Sequence, residues 1–223
     1  MCGRYSVLTE SEIIEIREIL KEVFSPDIAI APLNGPVRAE NRERSNAFSA
    51  TDEVRPTDHA PVIISQGKGV VSFQDLRWGF RHWDGKGKPI INARVETLAT
   101  KNMFAPLLTV GRCVVPTAEY YEWKAEGRKK VKHFISDKEG NLLFMAGLYR
   151  DTEDGREFVI ITKDAQDDIR EIHDRMPVIL QTSQIEDWLS GKLSPDDIVK
   201  HKFNAAIALC DGELDQLTLD IGE

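Results

Sequence analysis

From Ala60 onward the chain is written as short β-rich runs, and their spacing limits the architectures open to it. The runs are APVIIS (60–65), VVSFQDLRWGF (70–80), GRCVVPTAEYYEW (111–123), HFISD (133–137), LLFMAGLY (142–149), EFVIIT (157–162) and PVILQ (177–181). Turn signals at Gly67, AEG (125–127), KEG (138–140) and EDG (153–155) punctuate them. Strands joined mostly by turns predict antiparallel neighbours. One long helix precedes them, from Thr9 to about Phe24. There Thr9 and Glu12 have capping-box spacing, and Ile13, Ile16, Leu20 and Val23 make one stripe. Short helices are predicted near 98–108, 164–172, 183–190 and 195–201. Ser183 and Ser194 read as N-caps, with Pro195 at a first helical position. The stretch from Ser25 to Asp58, with four prolines and the run RAENRERS, reads as a surface excursion. With no repeat or low-complexity linker, residues 1–223 are expected to form one α+β domain. Its sheet is expected to be curled, barrel-like and mostly antiparallel, flanked by helices.

Bulk properties exclude several classes. Of 223 residues, 41% are hydrophobic and 30% charged, which is incompatible with wholesale disorder. No apolar run is long enough to cross a bilayer, and the N-terminus lacks a secretory pattern. A cytoplasmic protein, or one nucleoid-associated within the cytosol, is expected, with no membrane partner. Three cysteines (Cys2, Cys113 and Cys210) are too few and scattered for a disulfide framework or a zinc site, so neither metal nor cofactor is expected. Cys113 and Cys210 read as small buried hydrophobes. A net charge of −8 argues against a protein that coats nucleic acid, while a narrow basic cleft stays compatible with it.

Candidate chemistry begins at the first residues, MCGRYS. Cysteine is small enough for Met1 to be removed. Cys2 would then carry a free α-amine and a thiol on one residue, a 1,2-aminothiol that no internal position can offer. The plain alternative is an ordinary small residue in a first strand. Asn92, in IINARVET, is either an orienting amide held against a wall or a turn asparagine. In AEYYEWK, Tyr120, Glu122 and Lys124 share one face, while Glu119, Tyr121 and Trp123 share the other. Glu122 is either a desolvated carboxyl able to exchange protons near neutrality or a solvent-facing strand residue. His173, in EIHDRMP, is placed for acid–base work or caps a helix. His82, His133 and His201 read as surface residues. Arg4, Arg94 and Arg175 adjoin these stretches, and a guanidinium fork suits phosphate oxygens.

Taken together, MCGRY, WGF (78–80), INARVET (91–97), EYYEW (119–123) and EIHDRMP (171–177) resemble the SRAP family, the SOS-response-associated peptidase fold. The likeness is collinear over residues 1 to about 190, and residues 191–223 diverge. It implies a protein that crosslinks itself to abasic sites in single-stranded DNA, with Cys2 as the nucleophile. It implies Asn92, Glu122 and His173 as the other catalytic residues. DNA contacts are implied at Arg4, Pro56, Trp83, Arg94, Thr162 and Arg175. Where members often carry Asn-x-Ala-Pro, this chain reads Glu53-Val54-Arg55-Pro56, which makes Arg55 a substitute phosphate ligand. His82-Trp83 stands where members often have two tryptophans.

The expected reaction is addition of the Cys2 amine to the aldehyde form of the sugar, then closure of a thiazolidine ring by the thiol, a lyase-type chemistry shielding the lesion. His173 would protonate the sugar ring oxygen, Glu122 would shuttle protons and Asn92 would hold register. Autoproteolytic or peptidase activity is expected only where a leader must be removed. A monomer is expected. Two rivals stand beside this reading: an N-terminal-nucleophile amidohydrolase of the glutamine amidotransferase kind, which would release ammonia, and a non-catalytic single-strand binding module indifferent to lesions.

Overall fold

The computed structural model describes residues 2–25, 28–31, 53–67, 70–82 and 85–210. Along the chain run β1 (Arg4–Ser6), α1 (Glu10–Val23), β2 (Ala29–Ala31), β3 (Glu53–Val54), β4 (His59–Gly67), β5 (Val70–Trp78) and β6 (Asn92–Arg94). These are followed by α2 (Leu107–Val110), β7 (Arg112–Thr117), β8 (Glu119–Glu126), β9 (Lys129–Asp137), β10 (Leu143–Thr152) and β11 (Gly155–Asp164). The described chain finishes with β12 (Arg175–Pro177), β13 (Ile179–Leu180), α3 (Ile185–Leu189), α4 (Pro195–Ile198) and β14 (Ala205–Leu209).

Thr9 caps α1 as its spacing predicts. The Glu12 N–H donates to the Thr9 hydroxyl at 3.2 Å, and the Thr9 N–H donates to the Glu12 carboxylate at 2.8 Å. Ile13, Ile16 and Leu20 are buried, and Val23 packs against the same cluster. Each of the four predicted turns holds a glycine in the left-handed region, Gly67, Gly127, Gly140 and Gly155 at φ of +77°, +63°, +82° and +117°.

Strands β4, β5, β11, β10 and β7 close into a ring. Neighbours are antiparallel except where β11 meets β5 in parallel, through Glu157 opposite Arg77 and Phe158 opposite Trp78. The ring is the curled sheet expected from the sequence. A second, wholly antiparallel sheet has the order β14-β9-β8-β1-β3. Alternation sorts side chains into two cores. Ile63 and Val114 join α1 in one; Val62, Ile64, Cys113 and Val115 join Tyr5, Tyr120 and Ile135 of the second sheet in the other. The ring strands are therefore buried on both faces, so they read as continuous apolar runs. Gly147 is opposite Cys113, and a Cβ there would lie 2.8 Å from the cysteine sulfur.

At the parallel junction, Glu157 is fully buried and receives three arginines. Arg150 Nη2 donates to it at 2.8 Å, the Arg81 backbone N–H at 3.1 Å alongside its Nε, and Arg77 approaches to 3.5 Å. Burial acts to raise the carboxyl, but hydrogen bonds from Arg150 and Arg81 outweigh it and hold Glu157 below the ordinary glutamate value.

Four local expectations need correction. No helix covers 98–108: a 3-10 turn spans Val95–Thr97, turns follow, and Pro106 is the N-cap of the short α2. A proline there lacks the N–H that a continuing helix needs. Cys210, read as buried, is only partly so, whereas the short helix expected near 164–172 is present as a 3-10 helix over Asp167–Glu171. Ser183 lies inside a 3-10 turn that Gln181 caps, whereas Ser194 caps α4 with Pro195 at its first position. His133 is buried, sharing its strand face with Ile135. The greater part of the Ser25–Asp58 excursion and the final residues from 211 lie outside the described residues.

Glu157→Gln removes the charge on which three arginines converge, and breaking a buried ion pair typically costs about 3–5 kcal/mol. Urea unfolding is expected to show a loss of that order, and a loss under about 0.5 kcal/mol would count against a closing role for this cluster.

Candidate active site

The site is assembled on β1, which lies between β8 and β3. Tyr5 pairs with Tyr120 and Arg4 with Tyr121, so the next step of the antiparallel ladder brings Glu122 beside the residues preceding β1. Cys2 is fully buried there, its thiol 3.7 Å from the Arg4 carbonyl. Asn92 opens β6, which runs parallel to β11 with Asn92 opposite Ile160. Its Nδ2 donates to the Cys2 carbonyl at 2.9 Å, while its Oδ1 is buried without a hydrogen-bond partner. The amide therefore fixes the main chain of Cys2 and keeps an acceptor for an incoming donor.

Desolvation governs the electrostatics. Glu122 is 2% exposed, and burial pushes its carboxyl up to about 7, against the pull of the amino-terminal charge, which belongs to Met1 in the untrimmed chain. Burial, then the Glu122 charge, raises the Cys2 thiol far above its ordinary range. His173 follows a 3-10 turn, its N–H donating to the Ile169 carbonyl at 3.0 Å. Its Nδ1 is 3.0 Å from the Arg175 N–H and 2.7 Å from a carboxylate oxygen of Asp174. These contacts demand opposite protonation of one nitrogen. The backbone N–H can only donate, while the Asp174 side chain is 83% exposed and is served by water. We therefore assign Nδ1 as acceptor, which leaves the proton on Nε2. Burial, reinforced by the amino-terminal charge and opposed by Asp174, holds His173 below its ordinary value, in keeping with a neutral ring.

Cys2, Asn92, Glu122 and His173 thus converge: Asn92 bonds Cys2, Glu122 acts electrostatically on Cys2, and Asp174 beside His173 acts on Glu122. The residues implied as DNA contacts are less uniform. Arg94 is exposed, two residues beyond Asn92 on the same strand. Arg4 donates to Glu53 at 3.1 Å and lies over the Trp123 ring. Pro56 is half-buried in a turn closed by the Asp58 N–H and the Arg55 carbonyl at 3.0 Å, in which Thr57 has a φ of +81°. A β-branched residue rarely adopts that angle; the Thr57 N–H donates to the Trp78 carbonyl at 2.9 Å, and the Trp78 N–H donates to the Asp58 carbonyl at 2.8 Å. Thr162 is fully buried, its hydroxyl without a partner. Arg175 is buried and engaged: Nη1 and Nη2 meet the Glu96 carboxylate at 2.9 and 3.0 Å, with Asp164 and the Thr162 carbonyl as further acceptors. Trp83 lies outside the described residues.

Other groups at the site were not singled out from the sequence. The buried Tyr5 and Tyr120 hydroxyls lack hydrogen-bond partners, and both lie close enough to Cys2 to be coupled to it electrostatically. The parity that put Tyr120 on the face of Glu122 was the available signal. His133 is directly opposite Glu122 on β9, and β9 alternation with Ile135 would have shown it. Among the described residues no cluster of three or more His, Cys, Asp or Glu could hold a metal.

A model of the SOS response associated peptidase (SRAP) family matches residues 1–209. The abasic site processing protein YedK of Escherichia coli K12 is 37% identical over 200 residues, 87% of this chain and 82% of that one. The abasic site processing protein YoqW of Bacillus subtilis is 31% identical over 210 residues, 90% of this chain and 85% of its own. A crystal structure of a Bordetella bronchiseptica protein superposes with a TM-score of 0.70 at 20% identity, covering 93% of this chain and 99% of that one, a likeness of fold. The chain belongs to the SOS response associated peptidase (SRAP) family.

Proposed function

We propose that this protein processes abasic sites in single-stranded DNA by trapping the lesion sugar covalently on Cys2 after Met1 is removed. The observation that carries the reading is the Cys2 environment. Its main chain is fixed by Asn92 at 2.9 Å, beside a carboxyl whose pKa is pushed up to about 7. The names of its relatives YedK and YoqW support the substrate class.

In the proposed reaction the neutral α-amine of Cys2 adds to the aldehyde carbon of the opened sugar. The carbonyl oxygen leaves as water and an imine forms. The thiol then adds to the same carbon, its proton ending on the former imine nitrogen, so one carbon holds both new bonds, C–N and C–S. A buried thiol stays protonated at neutral pH and needs a base at the moment of attack. Glu122 near 7 is ionised often enough to accept that proton and neutral often enough to return one. The Nε2–H of a neutral His173 would donate toward the sugar ring oxygen as it opens. The paired nucleophiles gain the advantage of a pre-oriented intramolecular closure.

Intact mass spectrometry after mixing the protein with an abasic single-stranded oligonucleotide should show loss of Met1 and one adduct per chain. Cys2→Ala should abolish the heat-stable adduct, leaving at most an imine that is seen only after borohydride reduction. Cys2→Ser keeps the amine but lacks sulfur, so it should give a species stable only after borohydride reduction. A heat-stable adduct from either variant, or from protein still carrying Met1, would sink the scheme.

The raised Glu122 pKa also fixes a sign for stability. Folded chain keeps this proton up to about pH 7, whereas the unfolded chain releases it near 4.5. Between those values the folded state binds more protons, so stability falls as pH rises, by about 3 kcal/mol in total. Glu122→Gln should therefore melt higher than wild type at pH 8, with the gap closing by about pH 4.5, while adduct formation slows by roughly 100-fold or more. Parallel melting profiles across this range would show that the carboxyl is not desolvated.

A further inference from the structure

On the opposite side of β8 from Glu122, four strands contribute to one cationic and aromatic stripe. Strand register puts Arg4 of β1 opposite Tyr121 of β8, and Trp123 opposite Lys132 of β9. On the other flank, Glu53 of β3 pairs with Ser6, two residues from Arg4. Side chains of alternate residues in paired strands share a face, so Arg4, Glu53, Arg55, Trp123 and Lys132 all do.

Their contacts make this a constructed arrangement. The Glu53 side chain is 2% exposed and is the shared acceptor for Arg4 at 3.1 Å, Arg55 at 3.6 Å and Lys132. Trp123 lies between two of these cations, 4.9 Å from the Arg4 guanidinium and 5.8 Å from the Lys132 ammonium, and Lys132 also stands 4.6 Å from the Tyr121 ring. Three cations thus share one buried carboxylate. Two nearby carboxylates accept from neutral donors, Asp58 from the Arg55 backbone N–H at 2.9 Å and Glu119 from the Tyr121 hydroxyl at 2.9 Å, so both count against the cations. Lys130, opposite Ala125 and exposed, continues the stripe along the same face. Arg4, Arg55, Lys132 and Lys130 against Glu53, Asp58 and Glu119 leave the stripe one cation in excess, and in a chain of net charge −8 that marks a place for an anion.

We infer that this face binds the phosphodiester backbone of the DNA strand leaving the Cys2 pocket. Lys132 and Arg55 are phosphate ligands beside Arg4, and Glu53 and Trp123 are positioning residues that hold the three cations together. The inference deepens the abasic-site reading above and rests on it for the identity of the polymer. Arg4 is two residues from Cys2, about 7 Å along an extended strand, so the phosphates reached are those next to the trapped sugar. Glu53 has a definite part in this. A buried carboxylate shared three ways fixes the spacing of the cations before any phosphate arrives, so little side-chain freedom is lost on binding.

The test uses an undamaged single-stranded oligonucleotide and fluorescence anisotropy over a salt series, with Lys132→Gln, Arg55→Gln and the double variant. Each cation lost should weaken binding roughly fourfold at 0.15 M salt and make the slope of log K against log salt shallower by about 0.7. Lys132→Arg should restore the slope, which separates lost charge from lost packing. Lys192→Gln, at an exposed lysine paired with Asp187, serves as the control for net charge and should leave the slope unchanged. Wild-type affinity and slope in Lys132→Gln, or an equal loss in Lys192→Gln, would overturn the inference. If the wild type forms no adduct with abasic DNA yet Lys132→Gln still binds undamaged DNA more weakly, covalent trapping falls and the stripe stands. An adduct formed normally while the variants bind undamaged DNA like wild type has the reverse meaning.

Discussion

Everything proposed for the site depends on β1 being inserted between β8 and β3. Chain termini are ordinarily the least ordered part of a domain. Here the ladder to Tyr120 and Tyr121 on one side, and to Glu53 and Val54 on the other, makes the first residues part of a sheet interior. The Asn92 amide adds a further tie at the Cys2 carbonyl. A residue whose usefulness depends on its own α-amine can occupy only the first position of a chain. The fold immobilises that position by main-chain pairing of the residues that follow it. The same insertion sets strand parity, sending Glu122 inward toward Cys2 and Trp123 outward toward Arg4.

Burial then does to this pocket what it does to any cluster of titratable groups: it favours the neutral form of each. The Cys2 thiol and the Glu122 carboxyl rise, and His173 falls. The resulting pocket holds a protonated thiol, a carboxyl near neutrality and a neutral ring, and no standing thiolate. A standing thiolate beside an imidazolium would suit cysteine-protease chemistry. A protonated thiol, a carboxyl near neutrality and a neutral ring better suit a sequence of proton transfers around a condensation that expels water. The orphaned hydroxyls of Tyr5 and Tyr120 and the Asn92 Oδ1 extend this pattern, since buried polar atoms without partners in the free protein are available to a ligand.

Local rules made much of this legible. The Thr9–Glu12 spacing specified the start of α1, and glycines at 67, 127, 140 and 155 marked turns that needed a left-handed angle. Period-two alternation through EYYEW separated Glu122 from Trp123 correctly. What escaped was non-local. The parallel meeting of β5 and β11 that closes the ring joins residues 80 positions apart, and no pattern in either strand announces its partner. Arg175 illustrates the same limit. Its position beside His173 suggested a phosphate ligand, but its fork is filled by Glu96, 79 residues away. A helix was expected near 98–108, and Pro106 instead became the N-cap of a shorter one.

The two engaged arginines differ in a way that bears on how an acidic protein holds a polyanion. Arg4 is tied to Glu53, a carboxylate 2% exposed, and removing that partner would strand a buried charge. Arg175 is tied to Glu96 and Asp164, whose side chains are 47% and 79% exposed. Exposed carboxylates hold a cation only weakly, because water satisfies them nearly as well when they let go. Phosphate can therefore add to the Arg4 cluster without displacing Glu53, whereas at Arg175 it would have to exchange with Glu96. On the proposed reading, the first arrangement would supply attraction that is always present, and the second a contact that would form only when a strand is seated deeply enough to compete. A cleft built from both kinds keeps its net cationic surface small in the free protein, in keeping with a chain of charge −8.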